Sequence, residues 1–173
     1  MGDYDIRMRL DIDAERSDVL GALMTVEGIS GWWSDTVTGR PDEDGGELYV
    51  AFPDLPRPFH FGVGLDGEQV SWETREFPPW WDATTIRWRV EDNPDADGTR
   101  LWFTHAGFDP DDEIIPIITP AWAGIIGRLK AYAETGTRDP FGVNPTSHGR
   151  PLGDTAAGRQ ETAGSSGGGV GLR

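Results

Sequence analysis

The sequence predicts an α+β domain in which a curved antiparallel β-sheet wraps around one long C-terminal α-helix, with two short helices after the first strand. Three observations predict this class. Apolar residues recur at helical spacing between residues 119 and 136, and short alternating segments separated by turn signals fill residues 35–106. Beyond residue 137 the composition shifts to Gly, Pro, Ser and Thr, so we expect one domain over residues 1–137 and a mostly disordered tail over 138–173.

The first predicted elements are a strand and two short helices. Residues from Asp5 to Ile12 alternate between charged and apolar side chains, which is the pattern of a half-buried strand. Asp13 is a good N-cap for a short helix that follows this strand. Thr25 is expected to cap a second helical piece, which we place at residues 26–33.

Six short strands are expected to follow and to pair with one another in antiparallel fashion. Their predicted ranges are 35–39, 47–52, 59–65, 68–75, 84–91 and 99–106. Between two of them, Asp66-Gly67 is the strongest hairpin signal of the chain. In the last two strands, the alternation places Trp88, Phe103 and His105 on the inward face.

The long C-terminal helix is predicted to run from Thr119 to Gly136. Thr119 is suited to cap its first turn, Pro120 is suited to the first helical position, and Gly136 supplies the left-handed residue that commonly ends a helix. Pro116 is expected to prevent one continuous helix through the preceding residues 109–118.

Composition excludes several functional classes. The formal net charge is −15, so the protein repels phosphate backbones and anionic lipid surfaces, and we expect neither nucleic-acid binding nor membrane insertion. Without cysteine, neither disulfides nor thiolate metal ligands are available. Residues 93–98 imitate the start of a calcium loop, but its twelfth position is Thr104 instead of a glutamate. We therefore expect no metal and no cofactor, and a cytoplasmic location because no secretion signal opens the sequence.

The order and wording of these segments resemble the START-like superfamily of helix-grip proteins, and within it the family of the Hsp90 ATPase activator homologue. The segments that carry the resemblance are 19–33, 45–52, 61–73, 84–92, 99–108 and 122–136. The resemblance implies a hydrophobic ligand cavity between the sheet and the long helix. The superfamily includes lipid carriers, polyketide aromatases and cyclases, and hormone receptors, whereas the eukaryotic co-chaperone has a further N-terminal domain for engaging Hsp90.

The candidate ligand-binding residues are the large inward side chains that face this expected cavity. They are Trp33, Phe61, Trp72, Trp81, Trp88, Phe103, His105, Trp122 and Ile126. Aromatic residues at inward positions also make ordinary core packing, so each of them has a structural interpretation beside the functional one. We expect the ligand to be a small hydrophobic or aromatic molecule.

Two alternative functions depend on particular residues. His105 is a candidate general acid or base of a polyketide cyclase-like enzyme. We favour the alternative, a core histidine bonded to a backbone carbonyl or a tryptophan N–H, because no nucleophile accompanies it in a recognisable arrangement. The apolar loop 77–82 contains Trp80 and Trp81 and could serve a co-chaperone-like interaction module with an acidic surface. For either function we expect a monomer or a weak homodimer.

Overall fold

The computed structural model describes residues 2–143, which form a seven-stranded antiparallel sheet, three α-helices and one turn of 3₁₀-helix. The strands are β1 (Tyr4–Ile12), β2 (Thr36–Gly39), β3 (Glu47–Ala51), β4 (Phe59–Asp66), β5 (Gln69–Thr74), β6 (Thr85–Asp92) and β7 (Thr99–Phe108). The α-helices are α1 (Arg16–Met24), α2 (Val26–Ser30) and α3 (Ile115–Thr135), and the 3₁₀ turn is Pro79–Trp81. The predicted fold class is therefore confirmed.

The sheet has the strand order β1-β7-β6-β5-β4-β3-β2, so consecutive strands from β2 to β7 are neighbours and β1 pairs with the last strand. The first two strands thus lie at opposite edges of the sheet, and α1 and α2 carry the chain from one edge to the other. Helix α3 then places its apolar stripe of Trp122, Ile125, Ile126 and Leu129 in the core. The space between sheet and helix is the interior of the domain.

The alternation of apolar and polar residues in the sequence matches the alternation of buried and exposed side chains in the sheet. In β6 the side chains of Ile86, Trp88 and Val90 are fully buried, while Arg87 and Arg89 between them are exposed. The tight hairpin between β4 and β5 contains Gly67 with a φ of 59°, as its Asp-Gly signal predicts. The period of two thus decides which face of the sheet packs on α3.

Helix α3 begins four residues earlier than predicted. Pro116 lies in its first turn, where a backbone N–H has no intrahelical acceptor, so the expectation that this proline prevents a helix there is wrong. Thr119 is consequently inside the helix instead of capping it, and its hydroxyl donates to the carbonyl of Ile115 at 2.6 Å. The predicted end is confirmed: Gly136 has a φ of 72° and its N–H donates to the carbonyl of Tyr132 at 2.8 Å.

Of the two predicted caps of the short helices, one is confirmed and the other is wrong. Thr25 caps α2, because its hydroxyl accepts the N–H of Gly28 at 2.8 Å. Asp13 does not cap α1, since the N-cap position is Glu15, and the Asp13 N–H donates to the carboxylate of Glu134 instead. Helix α2 ends at Ser30 instead of residue 33, which leaves the two following tryptophans free to turn into the core.

The chain after α3 folds back along the turn that follows α2. The N–H groups of Phe141 and Gly142 donate to the carbonyls of Trp32 and Trp33 at 3.0 and 2.7 Å. We call residues 138–143 the C-terminal strap. The predicted disorder of the tail beyond residue 143 lies outside the described residues. Within residues 2–143, no helix combines the length and the apolar character needed to cross a membrane.

Candidate functional site

The middle of the interior is filled by aromatic rings. Trp33 lies at its centre, stacked on Trp72 with ring centroids 5.6 Å apart and in contact with Trp122 of α3 at 5.4 Å. Trp88 and Phe103 close the far side, 4.8 Å from each other. Since aromatic pairs at these separations are stabilising contacts, the rings form a packed core that connects the sheet to the helix.

The candidate ligand-binding residues divide into two groups in the structure. Trp33, Trp81 and Trp122 border an apolar pocket at one end of the interior. The other candidates are buried within the packed core, outside the lining of this pocket: Phe61, Trp72, Trp88, Phe103, His105 and Ile126. The structure therefore brings only a third of the candidate set to one cavity.

The apolar pocket has a volume of about 190 Å³. It is enclosed by α3, the end of β3, the start of β4, the 3₁₀ turn and the C-terminal strap. Its lining residues are Trp33, Phe52, Leu55, Phe59, Trp80, Trp81, Ile118, Ala121, Trp122, Ile125 and Phe141. No charged or hydrogen-bonding side chain other than the tryptophan indoles is among them, so the pocket suits hydrocarbon surface.

Most of this lining was not predicted, and the missed residues carried signals of different strength. Phe59 lies on the inward face of a predicted strand and Ile125 on the apolar stripe of the predicted helix. Ile118 precedes Trp122 by four residues, which is helical spacing, but the predicted helix began after it. Phe141 differs from its Gly- and Pro-rich surroundings only in being apolar, which suggests local docking but not this pocket, because the strap that positions it has no periodic pattern.

The rim of the pocket reaches the protein surface. The Trp80 side chain is 40% exposed and packs edge-on against Phe77 with ring centroids 5.6 Å apart. Phe141, on the strap, is 48% exposed. In contrast, Trp81 is only 5% exposed and stacks on Trp122 at 5.8 Å. The two neighbouring tryptophans of loop 77–82 thus have different places, one at the rim and one in the wall.

His105 is fully buried and connects helix, sheet and 3₁₀ turn by hydrogen bonds. Its Nδ1 accepts the indole N–H of Trp122 at 3.1 Å, so the ring proton must be on Nε2. Nε2 then donates to the hydroxyl of Thr84 at 2.9 Å, and that hydroxyl donates to the carbonyl of Trp81 at 2.7 Å. The tautomer with its proton on Nε2 therefore satisfies every donor and acceptor in this series, from the Trp122 indole to the Trp81 carbonyl.

The same arrangement keeps the imidazole neutral. Burial lowers the pKa of His105 to about 3, because a charged ring would lose its hydration. A second proton on Nδ1 would also face the N–H of Trp122, donor against donor. At neutral pH this histidine has neither a free lone pair nor an ionisable proton, and the geometry favours its structural role.

Three buried indole N–H groups have no acceptor among the described residues: those of Trp72, Trp81 and Trp88. Burying an N–H group without an acceptor costs free energy, so the placement of these three indoles reflects the packing of the rings and not polar recognition.

Among the described residues 2–143, no cluster of three or more metal-ligating side chains occurs. Residues 93–98 form a hairpin turn closed by the bond from the Asn93 N–H to the carbonyl of Gly98 at 3.0 Å.

Comparison with known proteins places this geometry in a structural context. No family model matches the chain, and no curated protein matches it. The solution structure of the Aha1 dimer from Colwellia psychrerythraea matches with a TM-score of 0.67 and 23% identity, covering 77% of this chain and 98% of that one. Protein SSP2350 from Staphylococcus saprophyticus matches with a TM-score of 0.66 and 20% identity, covering 81% and 98%.

A third similar structure is that of DynU16, a protein from the dynemicin biosynthetic locus. It matches with a TM-score of 0.65 and 18% identity, and the alignment covers 81% of this chain and 51% of that one. Likeness at these identities is a likeness of fold. The chain has the helix-grip fold that its sequence predicts, and the Colwellia Aha1 protein is among the solved structures that share it.

Proposed function

We propose that this protein binds a small apolar molecule, or the apolar end of a larger one, in the pocket between α3, the 3₁₀ turn and the C-terminal strap. The observation that carries the proposal is the pocket itself, which has a volume of about 190 Å³, apolar walls and a rim at the surface. The other inward candidate residues are buried beside it and do not line it. The apolar lining of this pocket therefore defines the class of ligand.

The pocket volume limits the size of the ligand. An engineered apolar cavity of about 150 Å³ binds benzene, whereas pockets for drug-sized ligands start at about 300 Å³. A volume of about 190 Å³ therefore suits one aromatic ring, two fused rings or a short aliphatic chain. Polar groups of the ligand are expected at the rim near Trp80 and Phe141, because the walls present almost no polar surface.

The enzymatic alternative receives no support from this geometry. His105 does not line the pocket, and both of its ring nitrogens are occupied by Trp122 and Thr84. A general acid or base must reach the substrate and exchange a proton near the working pH. Binding without His105-dependent catalysis is the simpler function for this site.

Filling the pocket tests the proposal. The Ala121→Phe variant introduces a large side chain into the pocket wall, and Ala123→Phe adds the same group at an exposed position of the same helix. With benzene and naphthalene as probes, we expect thermal stabilisation and calorimetric binding in the wild type and in Ala123→Phe. Ala121→Phe should lose both. Wild-type protein that binds neither probe, and carries no apolar molecule in native mass spectrometry, would contradict the proposal.

The interaction-module alternative rests on the exposed apolar side chains near the rim. Trp80, which lines the pocket, is 40% exposed, and Ile117, which precedes the lining residue Ile118, is 65% exposed. A co-chaperone-like partner would insert an apolar side chain here, with binding that weakens in salt and is lost in Trp80→Ala.

The Colwellia protein was solved as a dimer, and we propose that this chain is a monomer or a weak homodimer. Sedimentation equilibrium would measure it.

A further inference from the structure

The outer face of the sheet carries four arginines in a two-by-two array on β1 and β6, with β7 between them. The strand register aligns Arg7 and Arg87 on either side of Thr104 in one row. It aligns Arg9 and Arg89 on either side of Trp102 in the next row. Strands in a sheet lie about 4.8 Å apart, so the two arginines of a row start about 10 Å from each other.

The array is short of counter-charges. Arg7 pairs with the carboxylate of Asp5 at 3.1 Å, and Arg89 approaches a carboxylate only at 3.8 Å. Arg9 and Arg87 make no ion pair with any residue that the structure describes. These two carboxylates, of Asp5 and Glu91, leave two of the four guanidinium charges without a paired counter-charge. This is notable in a protein whose formal net charge is −15.

Trp102 holds two of these arginines in place. The guanidinium carbons of Arg89 and Arg9 lie 5.1 and 5.8 Å from the centre of its ring, which is the geometry of cation–π contacts. The ring is fixed in turn, because its N–H donates to the carboxylate of Glu91 at 2.8 Å. Side chains that are already ordered lose less entropy when a ligand binds.

All four arginines line one groove of about 520 Å³ on this face, together with Gln69 and Thr104, which can donate further hydrogen bonds, and with Asp5, whose carboxylate is paired with Arg7. From this geometry we propose a second binding site, separate from the apolar pocket, for a compact anion with at least two negative charges, such as a phosphoryl or polycarboxylate group. Guanidinium groups bind the paired oxygens of both groups with two parallel hydrogen bonds. The groove volume is that of an ordinary small-molecule site.

The ligand must be compact because of the charge on the rest of the protein. Charges separated by more than about 8 Å are largely screened at physiological salt, so a small anion in the groove interacts mainly with the charged groups that line it, which are four arginines and one aspartate. An extended polyanion or an anionic bilayer would also meet the surrounding acidic surface, which repels it. The array therefore selects small anions over nucleic acid and membrane.

Calorimetry with inorganic pyrophosphate and with citrate, at low ionic strength, tests the site. We expect one anion to bind per protein, with an affinity that falls as sodium chloride is added. Arg9→Gln combined with Arg87→Gln should weaken binding at least about tenfold, since each lost bond to a charged group is worth that much. Arg40→Gln combined with Arg75→Gln is the matched control, because it removes the same charge from exposed positions outside the groove.

Three results would overturn the proposal. Wild-type protein that binds neither anion has no such site, and equal weakening in both double variants would reduce the effect to net charge. Binding to vesicles that contain phosphatidylserine, without binding to either small anion, would identify a membrane surface instead. Thermal melting shows that the variants are folded. The Ala121→Phe variant should bind pyrophosphate like the wild type, so the outcome is independent of the apolar pocket.

Discussion

Lowering the pH from 7 to 5 should destabilise this protein through His105. An unfolded chain takes up a proton on histidine near pH 6.5, whereas burial lowers the pKa of His105 in the folded protein to about 3. The unfolded state therefore binds the proton first, and the stability present above pH 6.5 is lost as the pH falls toward 3. The slope is about 1.4 kcal/mol per pH unit, which gives a loss of about 2 kcal/mol between pH 7 and pH 5.

Urea denaturation followed by tryptophan fluorescence, repeated at half-unit steps between pH 7 and pH 5, measures this loss. Ordinary carboxyl groups titrate near pH 4, so they contribute little in this window. His105→Gln removes the buried imidazole, and His60→Gln removes an imidazole that is paired with Glu47 on the outer side of the sheet. The His105 variant should be less stable at pH 7, and its stability should change less between pH 7 and pH 5.

Two results would refute this reasoning. A wild-type stability that is constant from pH 7 to pH 5 would mean that the buried imidazole is not held neutral. A pH dependence that survives in His105→Gln but disappears in His60→Gln would assign the effect to His60 instead of His105. In either case the hydrogen-bond chain from Trp122 to Thr84 would not fix the protonation state of His105.

The remaining predictions concern packing and can be measured by the same urea titration. Trp122→Phe keeps a ring in place but removes the N–H that donates to the buried imidazole of His105. It should lower the free energy of unfolding by about 1–3 kcal/mol. Trp81→Ala should cost about 3–5 kcal/mol and the exposed Trp80→Ala at most about 1 kcal/mol; equal costs would contradict their assigned places. Gly28→Ala should destabilise by about 1–3 kcal/mol, because the new methyl meets backbone atoms of α1 at 2.3 and 2.8 Å, whereas Gly21→Ala faces open space and should stabilise the helix by up to about 1 kcal/mol.

The candidate site shows where a prediction from spacing stops. Alternation correctly assigned Trp72, Trp88 and Phe103 to the inner face of the sheet, and all three are buried. Whether inward rings line a void or fill it depends on how their volumes combine across four strands and α3. In this protein the rings of Trp33 and Trp72 stack and fill the centre, so the remaining void lies at the end of the interior. Packing to crystal-like density is a property of the whole core.

The start of α3 is a second example, on the scale of one helix. Pro116 is compatible with either a helix break or a first helical turn, and the local sequence does not distinguish between them. The difference matters for the site, because the extra turn brings Ile118 to the wall of the pocket. The burial of Ile118 among the aromatic residues of the core favours the longer helix.

The sequence by itself determined the element order, the inward and outward faces of the strands, the end of the long helix at Gly136 and the acidic charge of the protein. These follow from periodicity, turn residues and composition, which act over a few neighbouring residues. Only the tertiary structure decided the place of the pocket, the tautomer of His105 and the contribution of Phe141 to the rim. Each of these depends on contacts between segments that are distant in the chain, and such contacts are fixed by the packing of the folded core.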